Sequence, residues 1–91
     1  MLVRSRNKQI LLDMERYAIQ AEKNNHAVKI TATNADGIYL LGEYPNMEFA
    51  IRALNALQEA YLKHKTLEMW IEQGVRIDRE MMKDGMVFQM L

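Results

Sequence analysis

The chain has 91 residues, with 12 Lys+Arg, 12 Asp+Glu, eight Met and no Cys. The absence of cysteine excludes a disulfide framework, a thiolate nucleophile and a cysteine-ligated zinc site. A formal net charge of zero argues against binding nucleic acid by bulk electrostatic attraction. The length allows one domain, residues 1–91, and so small a domain is marginally stable alone, which makes self-association our expectation.

The N-terminal half, residues 1–45, predicts a β-meander that starts with a short, apolar-led segment at residues 2–4. Residues 10–21 alternate imperfectly between apolar and polar, which favours a strand with a bulge or break near Asp13. A helix over the same residues is the competing interpretation, because Leu11, Leu12, Glu15 and Ile19 also fit a spacing of 3.6. The polar residues 22–26 then predict a turn.

A hairpin is the clearest signal in this half of the chain. Residues 27–33 (A-V-K-I-T-A-T) alternate and are β-branched, which is typical of a half-buried strand. Asp36-Gly37 is a strong hairpin-turn signal, and residues 38–44 return as the partner strand. Gly42 within that strand predicts a bulge or a close approach of another group.

A long amphipathic helix follows Pro45, with Asn46 as its predicted N-cap. Its apolar residues recur at three and four positions and predict one buried stripe, formed by Met47, Ala50, Ile51, Leu54, Leu57 and Tyr61. The main helix spans residues 46–66 or continues to 73, where Gly74 would end it.

The C-terminal segment, residues 75–91, is rich in methionine. Residues 77–85 predict a short capped helix that Gly85 would end, and residues 86–90 predict a terminal strand. The fold we expect is therefore α+β: a small antiparallel sheet of three to five strands, with the long amphipathic helix packed on one face, plus the short C-terminal helix and terminal strand.

Four segments resemble small uncharacterised accessory proteins of Gram-positive bacteria, their phages and mobile elements. They are residues 4–8 (R-S-R-N-K), 38–44 (I-Y-L-L-G-E-Y), 56–62 (A-L-Q-E-A-Y-L) and 87–90 (V-F-Q-M). The resemblance covers about half of the chain, and this sequence departs from it by a longer stretch over about residues 67–86. It implies an accessory protein encoded by a phage or mobile element, and it carries no activity.

Residues that could carry chemistry are few and scattered. His26 and His64 have no metal-ligand spacing, Ser5 lacks a nucleophile motif, and the glycines form no phosphate-binding loop. We therefore predict a non-enzymatic protein with no catalytic residues, no metal or other cofactor and no small-molecule substrate. No apolar run approaches the length of a membrane span, and charges stand where a signal peptide would be apolar, so we expect a cytoplasmic protein without membrane contact.

The C-terminal methionines are the leading candidate for an interface. Met69, Met81, Met82, Met86 and Met90 are five of the eight, and Met surfaces adapt readily to partners. The alternative is that this segment folds back to complete the core of the monomer. The interface hypothesis names these residues: Trp70, Met81, Met82, Met86, Phe88 and Met90. The partner would be a second copy, giving a homo-oligomer, or a host or element protein.

A basic N-terminal stretch supports a less favoured alternative, nucleic-acid binding. Arg4, Arg6 and Lys8 alternate, so a strand would project all three from one face towards phosphates. Residues 1–29 carry six basic and three acidic side chains, and residues 30–91 carry six and nine. Three cations without an aromatic platform make weak binding, and charges on an edge strand also serve to block aggregation.

Overall fold

The computed structural model describes residues 1–72 and 87–91, and it describes side chains for 1–69 and 87–91. These residues form two three-stranded sheets and one α-helix. The elements are β1 (Leu2–Arg4), β2 (Leu11–Asp13), a 3₁₀ turn (Met14–Arg16), β3 (Ala18–Asn24), β4 (Ala27–Asn34), β5 (Gly37–Tyr44), α1 (Met47–Glu72) and β6 (Val87–Gln89). The α+β class is confirmed, but the single sheet is replaced by two.

The first sheet has the strand order β2-β1-β6, and it is not purely antiparallel as predicted. β1 and β2 form an antiparallel hairpin, whereas β6 pairs with β1 in parallel, with Val3 opposite Phe88. A parallel neighbour requires a long crossover, and the chain between β1 and β6 includes α1. The predicted terminal strand is confirmed at Val87–Gln89, while the short helix predicted over residues 77–85 lies outside the described residues.

The second sheet is a meander with the order β3-β4-β5. The meander predicted over residues 1–45 is therefore limited to residues 18–44, because β1 and β2 belong to the first sheet. The tight turn lies one residue earlier than the Asp36-Gly37 signal predicted, because Ala35 and Asp36 form the loop and Gly37, at φ +155°, is the first residue of β5. The Asn34 side chain accepts a hydrogen bond from the Asp36 amide at 2.9 Å. The strand predicted over residues 10–21, with a bulge or break near Asp13, is two strands, β2 and β3, and the break is confirmed. The Asp13 carboxylate accepts the Glu15 amide at 3.2 Å and opens the 3₁₀ turn that separates β2 from β3.

Helix α1 begins as predicted, because the Asn46 side chain accepts the Phe49 amide at 3.0 Å. It takes the longer of the two predicted courses and runs to Glu72. Thr66 does not end it, since the hydroxyl of that residue donates to the Leu62 carbonyl one turn earlier. The helix crosses the β3-β4-β5 sheet and contacts all three strands.

One apolar core joins the helix to both sheets. Its helical members are Ala50, Ala53 and Leu57, and strand β4 contributes Val28, Ile30 and Ala32; β1, β2 and the C-terminal segment add Val3, Leu12 and Met90. The small alanines let the helix lie close to the sheet. Two hydrogen bonds also link the sheets, since the Arg6 amide donates to the Leu41 carbonyl at 2.6 Å and the Tyr44 hydroxyl donates to the Leu91 carbonyl at 2.7 Å.

Candidate interaction surfaces

The described part of the C-terminal segment packs on the chain's own core. Met90 is 2% exposed, and Phe88 is partly buried on the inner face of β6, opposite Val3. Strand alternation causes this placement, because the register that pairs β6 with β1 turns Phe88 inwards. Of the predicted interface residues, Met90 is therefore not available to a partner in this structure, and Phe88 is available only in part.

The other predicted interface residues cannot be placed on a surface. Trp70 belongs to α1, but its side chain lies outside the described residues. Met81, Met82 and Met86 fall entirely outside them. The contact surface that they would form with a partner stays a prediction.

Exposed apolar side chains of the described residues group in four places. The outer face of the first sheet carries Leu2, Leu11 and Val87; the outer face of β5 carries Ile38 and Leu40; a groove near the start of α1 carries Phe49 and Leu91; and α1 carries Met47, Ile51, Leu62 and Met69. Polar or small side chains stand between the apolar ones on the sheet faces, and Gln58 and Lys65 do so on α1. The group on α1 is the largest of the four and lies on one rigid element.

We call Met47, Ile51, Leu62 and Met69 the α1 stripe. At about 100° per residue, these four positions fall within a sector of about 60° on the helix surface. Ile51, Leu62 and Met69 are 45%, 56% and 56% exposed, so the stripe lies beside the buried face that contacts the sheet. The single buried stripe predicted from sequence is thus wrong for Met47 and Ile51, which stand on the flank of the helix rather than in the core.

The sequence does contain a pattern that indicates this stripe, but the spacing of the apolar residues alone does not distinguish it from the pattern of the buried core. Ile51 follows Ala50 directly, and two neighbouring positions in a helix point about 100° apart. Leu62 and Met69 are seven residues apart, which returns to the same face after two turns. Apolar residues in α1 therefore cover two faces, and the sheet buries one of them.

Two opposite charges stand on the solvent side of α1, about 60° (Glu59) and 100° (Lys63) around the helix from Leu62. Glu59 and Lys63 are both exposed, and none of the ion pairs that join the described residues includes either of them. Further towards the start of the helix, Glu48 and Arg52 do pair, at 3.0 Å. Of these two side chains, only Glu59 lies near the edge of the stripe.

Lys65 lies between Leu62 and Met69, and its charge is balanced internally. Its ammonium group contacts the carboxylates of Glu15 and Glu68, the second at 3.3 Å. This ammonium group lowers the pKa of both carboxyls, and the two carboxylates raise the pKa of Lys65. The contact also ties α1 to the 3₁₀ turn before β3, so it fixes the helix against the body.

The basic residues of the N-terminus do not share one strand face, which corrects the prediction. Arg4 lies on β1, but the chain reverses at residues 5–10, and Arg6 and Lys8 lie in that turn. The buried Ser5 causes the reversal, because its hydroxyl accepts the Ile10 amide at 3.0 Å and donates to Asn7 at 2.6 Å. Of the three cations, only Arg4 therefore lies on a strand.

Arg6 makes contacts within the fold that limit the availability of its guanidinium group to phosphates. Its guanidinium group donates to the Glu43 carbonyl at 2.5 Å and lies 4.9 Å from the centre of the Tyr44 ring. Together with the Arg6 amide bound to Leu41, this contact covers part of the free edge of β5. Burial raises the pKa of the Tyr44 hydroxyl, and the Arg6 charge opposes that rise.

The two histidines do not form a site with each other. His26 is exposed in the turn before β4, and His64 in α1 forms a hydrogen bond with Glu68 at 2.8 Å. Within residues 1–72 and 87–91, no group of three or more His, Asp or Glu side chains is arranged to hold a metal ion. No helix of this described part is long and apolar enough to cross a membrane.

Comparison of the chain with known protein families, curated proteins and solved structures found no match.

Proposed function

We propose that this chain is a non-enzymatic cytoplasmic interaction protein, encoded by a phage or mobile element, that self-associates and binds a protein partner of the host or element. The observation that carries the proposal is the α1 stripe, where Ile51, Leu62 and Met69 are about half exposed on one side of a helix whose other side is buried. Burying apolar surface drives most protein association, and an exposed apolar line on a rigid helix is a suitable binding element.

The composition and shape of the stripe support a protein partner. Two of its four members are methionines, whose unbranched side chains adapt to a facing surface. Methionine is enriched at interface cores, and polar residues such as Glu59 are the usual border of such a patch. Nucleic acid fits this surface poorly, because phosphates need a concentration of cations that the stripe does not provide.

Self-association is tested by sedimentation velocity over a concentration series up to the high micromolar range. We expect the wild-type chain to shift from monomer towards a larger species as concentration rises. The double variant Leu62→Gln/Met69→Gln should remain monomeric at concentrations where the wild type has associated, because it removes two apolar contacts from each copy. A wild-type chain that stays strictly monomeric would contradict self-association.

A matched control is available on the outer face of the first sheet. Leu11 is exposed to a similar extent but lies on β2, away from the helix, so Leu11→Gln should leave the association unchanged. Circular dichroism of each variant verifies that the fold is retained. The same set tests partner binding: a protein captured from host lysate by the wild type should be lost with the double variant and kept with Leu11→Gln.

A further inference from the structure

We infer that two copies of this chain pair through the outer edge of β3, as antiparallel strands about a two-fold axis at Ala21. β3 is an edge strand, because it pairs with β4 on one side only. An edge strand with unpaired N–H and C=O groups is a template for pairing with another chain. The inference rests on the proposed self-association and adds the strand that joins the copies, its orientation and its register.

The hairpin between β3 and β4 decides which backbone groups of β3 point outwards. Asn24 pairs with Ala27 across a two-residue turn, and residues that flank such a turn are hydrogen-bonded to each other. Hydrogen-bonded pairs alternate along an antiparallel ladder, so the residues between them turn their N–H and C=O groups outwards. These residues are Ile19, Ala21 and Lys23, and we call them the open edge. Among the described residues, no backbone or side-chain group bonds to these six groups.

The opposite edge of the same sheet is partly covered by the chain itself. On β5, the Leu41 carbonyl accepts the Arg6 amide, and the Glu43 carbonyl accepts the Arg6 guanidinium group. These contacts block strand pairing along part of β5, whereas the seven residues of β3 have no such cover among the described residues. The open edge is therefore the longer stretch of this sheet that a second strand can join.

The open edge is complementary to itself when a second β3 runs antiparallel, with Ala21 opposite the partner's Ala21. Ile19 then faces the partner's Lys23, and Lys23 faces the partner's Ile19. The three residues form six backbone hydrogen bonds with their counterparts, two at each pair. On the outer face of the sheet, Gln20 stands opposite the partner's Glu22, whose carboxylate can accept a hydrogen bond from the Gln20 amide.

Neighbouring antiparallel registers are less favourable. An axis at Glu22 or at Lys23 sets two like charges directly opposite each other, which destabilises a strand pair. An axis at Gln20 or at Ile19 brings Tyr17 into the ladder, but the Tyr17 amide already donates to a carbonyl of the 3₁₀ turn at 3.3 Å. The register centred on Ala21 avoids both costs.

A closed pair of parallel strands cannot form this ladder. A two-fold axis along the strands would set each residue level with the same residue of the partner. The Ala21 N–H group would then face the partner's N–H group, and the C=O group would face a C=O group, whereas each N–H needs a carbonyl oxygen in front of it. Of the two-fold arrangements, the antiparallel one therefore bonds the open edge.

The open edge and the α1 stripe lie on the same side of the molecule. Lys65, between Leu62 and Met69, contacts Glu15 in the turn directly before β3. Phe49, about 160° around the helix from Lys65, lines a groove beside the end of β5. A two-fold axis perpendicular to the sheet keeps both copies of α1 on one face of the joined sheet, so the second copy stands on the side of the stripe. Loss of the stripe and loss of the open edge should therefore weaken the same association.

Register is tested by disulfide cross-linking of single-cysteine variants, because the natural chain has no Cys. Ala21→Cys should cross-link to itself on mild oxidation, since hydrogen-bonded Cα atoms across an antiparallel pair are about 5.5 Å apart. Lys23→Cys alone should not cross-link, because its two copies would be about 14 Å apart along the strands. A mixture of Ile19→Cys and Lys23→Cys should form the mixed disulfide, because these positions face each other.

The cross-linking result can overturn the inference in two ways. At concentrations where the sample is associated, the absence of an Ala21→Cys cross-link would show that the strands do not meet at this residue. Self-cross-linking of Lys23→Cys as readily as Ala21→Cys would indicate strands stacked in parallel.

The backbone hydrogen bonds are tested by Ala21→Pro, which removes an outward N–H group and leaves the bonds to β4 in place. Association in sedimentation velocity should weaken about tenfold or more, because both bonds between the two Ala21 residues are lost. Ala21→Ser keeps the amide, so it is the matched control and should associate as the wild type does. Circular dichroism verifies the fold of both variants, and if Ala21→Pro does not fold, the cross-linking result decides.

The outcomes separate this inference from the proposed function. A wild-type chain that never associates contradicts self-association itself. A chain that associates, but in which folded Ala21→Pro associates normally and Ala21→Cys does not cross-link, keeps self-association and overturns the pairing at β3. An Ala21→Pro variant that self-associates normally and loses only a protein captured from host lysate would assign the open edge to that protein, which also overturns the inference.

Discussion

At the scale of single residues, Gly42 shows how a local requirement can be predicted and then explained. Its position inside an apolar strand predicted a bulge or a close approach, and the structure has both. The register of β4 and β5 shifts between Ile30 and Thr31, and a Cβ atom added to Gly42 would lie 2.8 Å from the Tyr44 hydroxyl oxygen. Only hydrogen at this position leaves the Tyr44 ring in place.

We expect Gly42→Ala to lower the free energy of unfolding by about 1–3 kcal/mol, because the methyl group forces a shift of a packed ring. The Tyr44 ring cannot move without cost, since it is buried, holds the Arg6 guanidinium group on its face and donates to Leu91. Urea unfolding followed by circular dichroism measures the loss. A variant as stable as the wild type would show that the ring relaxes without breaking these contacts.

Individual exposed side chains were harder to predict than individual turn and cap residues. Asn46 and the Asp36-Gly37 pair act on amides or dihedral angles within a few residues of themselves, so their roles follow from the local sequence. The exposure of Ile51 depends on where the sheet lies relative to the helix. That position is set by tertiary packing, and the sequence periodicity cannot specify it.

At the scale of elements, one charged cluster holds α1 against the turn that precedes β3. The Glu15 carboxylate accepts hydrogen bonds from the Lys65 ammonium group and from the Tyr61 hydroxyl, the latter at 3.2 Å. The segments in contact are about 50 residues apart in sequence, so no local pattern predicted this pairing. The contact is exposed, so its contribution to stability is small, and that contribution depends on pH because it requires the ionised carboxylate.

The Lys65 ammonium group lowers the pKa of the Glu15 carboxyl from its ordinary value of 4.5. The folded state then favours the carboxylate more than the unfolded state does. Stability from this contact is complete above pH 4.5 and is lost as the pH falls through the lowered pKa of the folded protein. We expect Glu15→Gln to be less sensitive to acid over that interval, measured as the unfolding free energy at a series of pH values.

Glu59→Gln is the matched control for this pH experiment. It also removes one exposed carboxylate, but Glu59 has no ion-pair partner among the described residues. In a sample dilute enough to be monomeric, the free energy of unfolding of Glu59→Gln should fall with acid by as much as that of the wild type. If Glu15→Gln and Glu59→Gln both lost less stability in acid than the wild type, and by equal amounts, Glu15 would have no specific part in the acid sensitivity.

At the scale of the whole molecule, the contacts that close the fold join the two ends of the described chain. β6 pairs with β1, and the Gln89 side chain donates to the Ser5 carbonyl at 2.8 Å. The sequence indicated a terminal strand, but the choice of its neighbour and its parallel direction depends on the crossover through α1. The α+β class, the meander and the helix were therefore predictable, whereas the division into two sheets was not.

Because of these contacts, Met90 and Met69 have different roles, which can be separated experimentally. Met90 is 2% exposed within the core, and Met69 is 56% exposed on the α1 stripe. In a monomeric sample, Met90→Ala should lower the free energy of unfolding by about 2–5 kcal/mol because it leaves a cavity. Met69→Ala should change that free energy by less than about 0.5 kcal/mol, as for most surface substitutions.

The two substitutions should affect self-association in the opposite order, with the larger effect from Met69→Ala. Met69→Ala should weaken self-association in sedimentation velocity, because it removes an exposed apolar side chain from the α1 stripe. Met90→Ala should leave the dissociation constant of its folded fraction unchanged, since its side chain lies inside the monomer. The unfolding of both variants must be measured at a low protein concentration, because self-association would itself stabilise the folded state. A Met69→Ala variant that lost stability without losing association would assign Met69 to the core and remove the methionine end from the stripe.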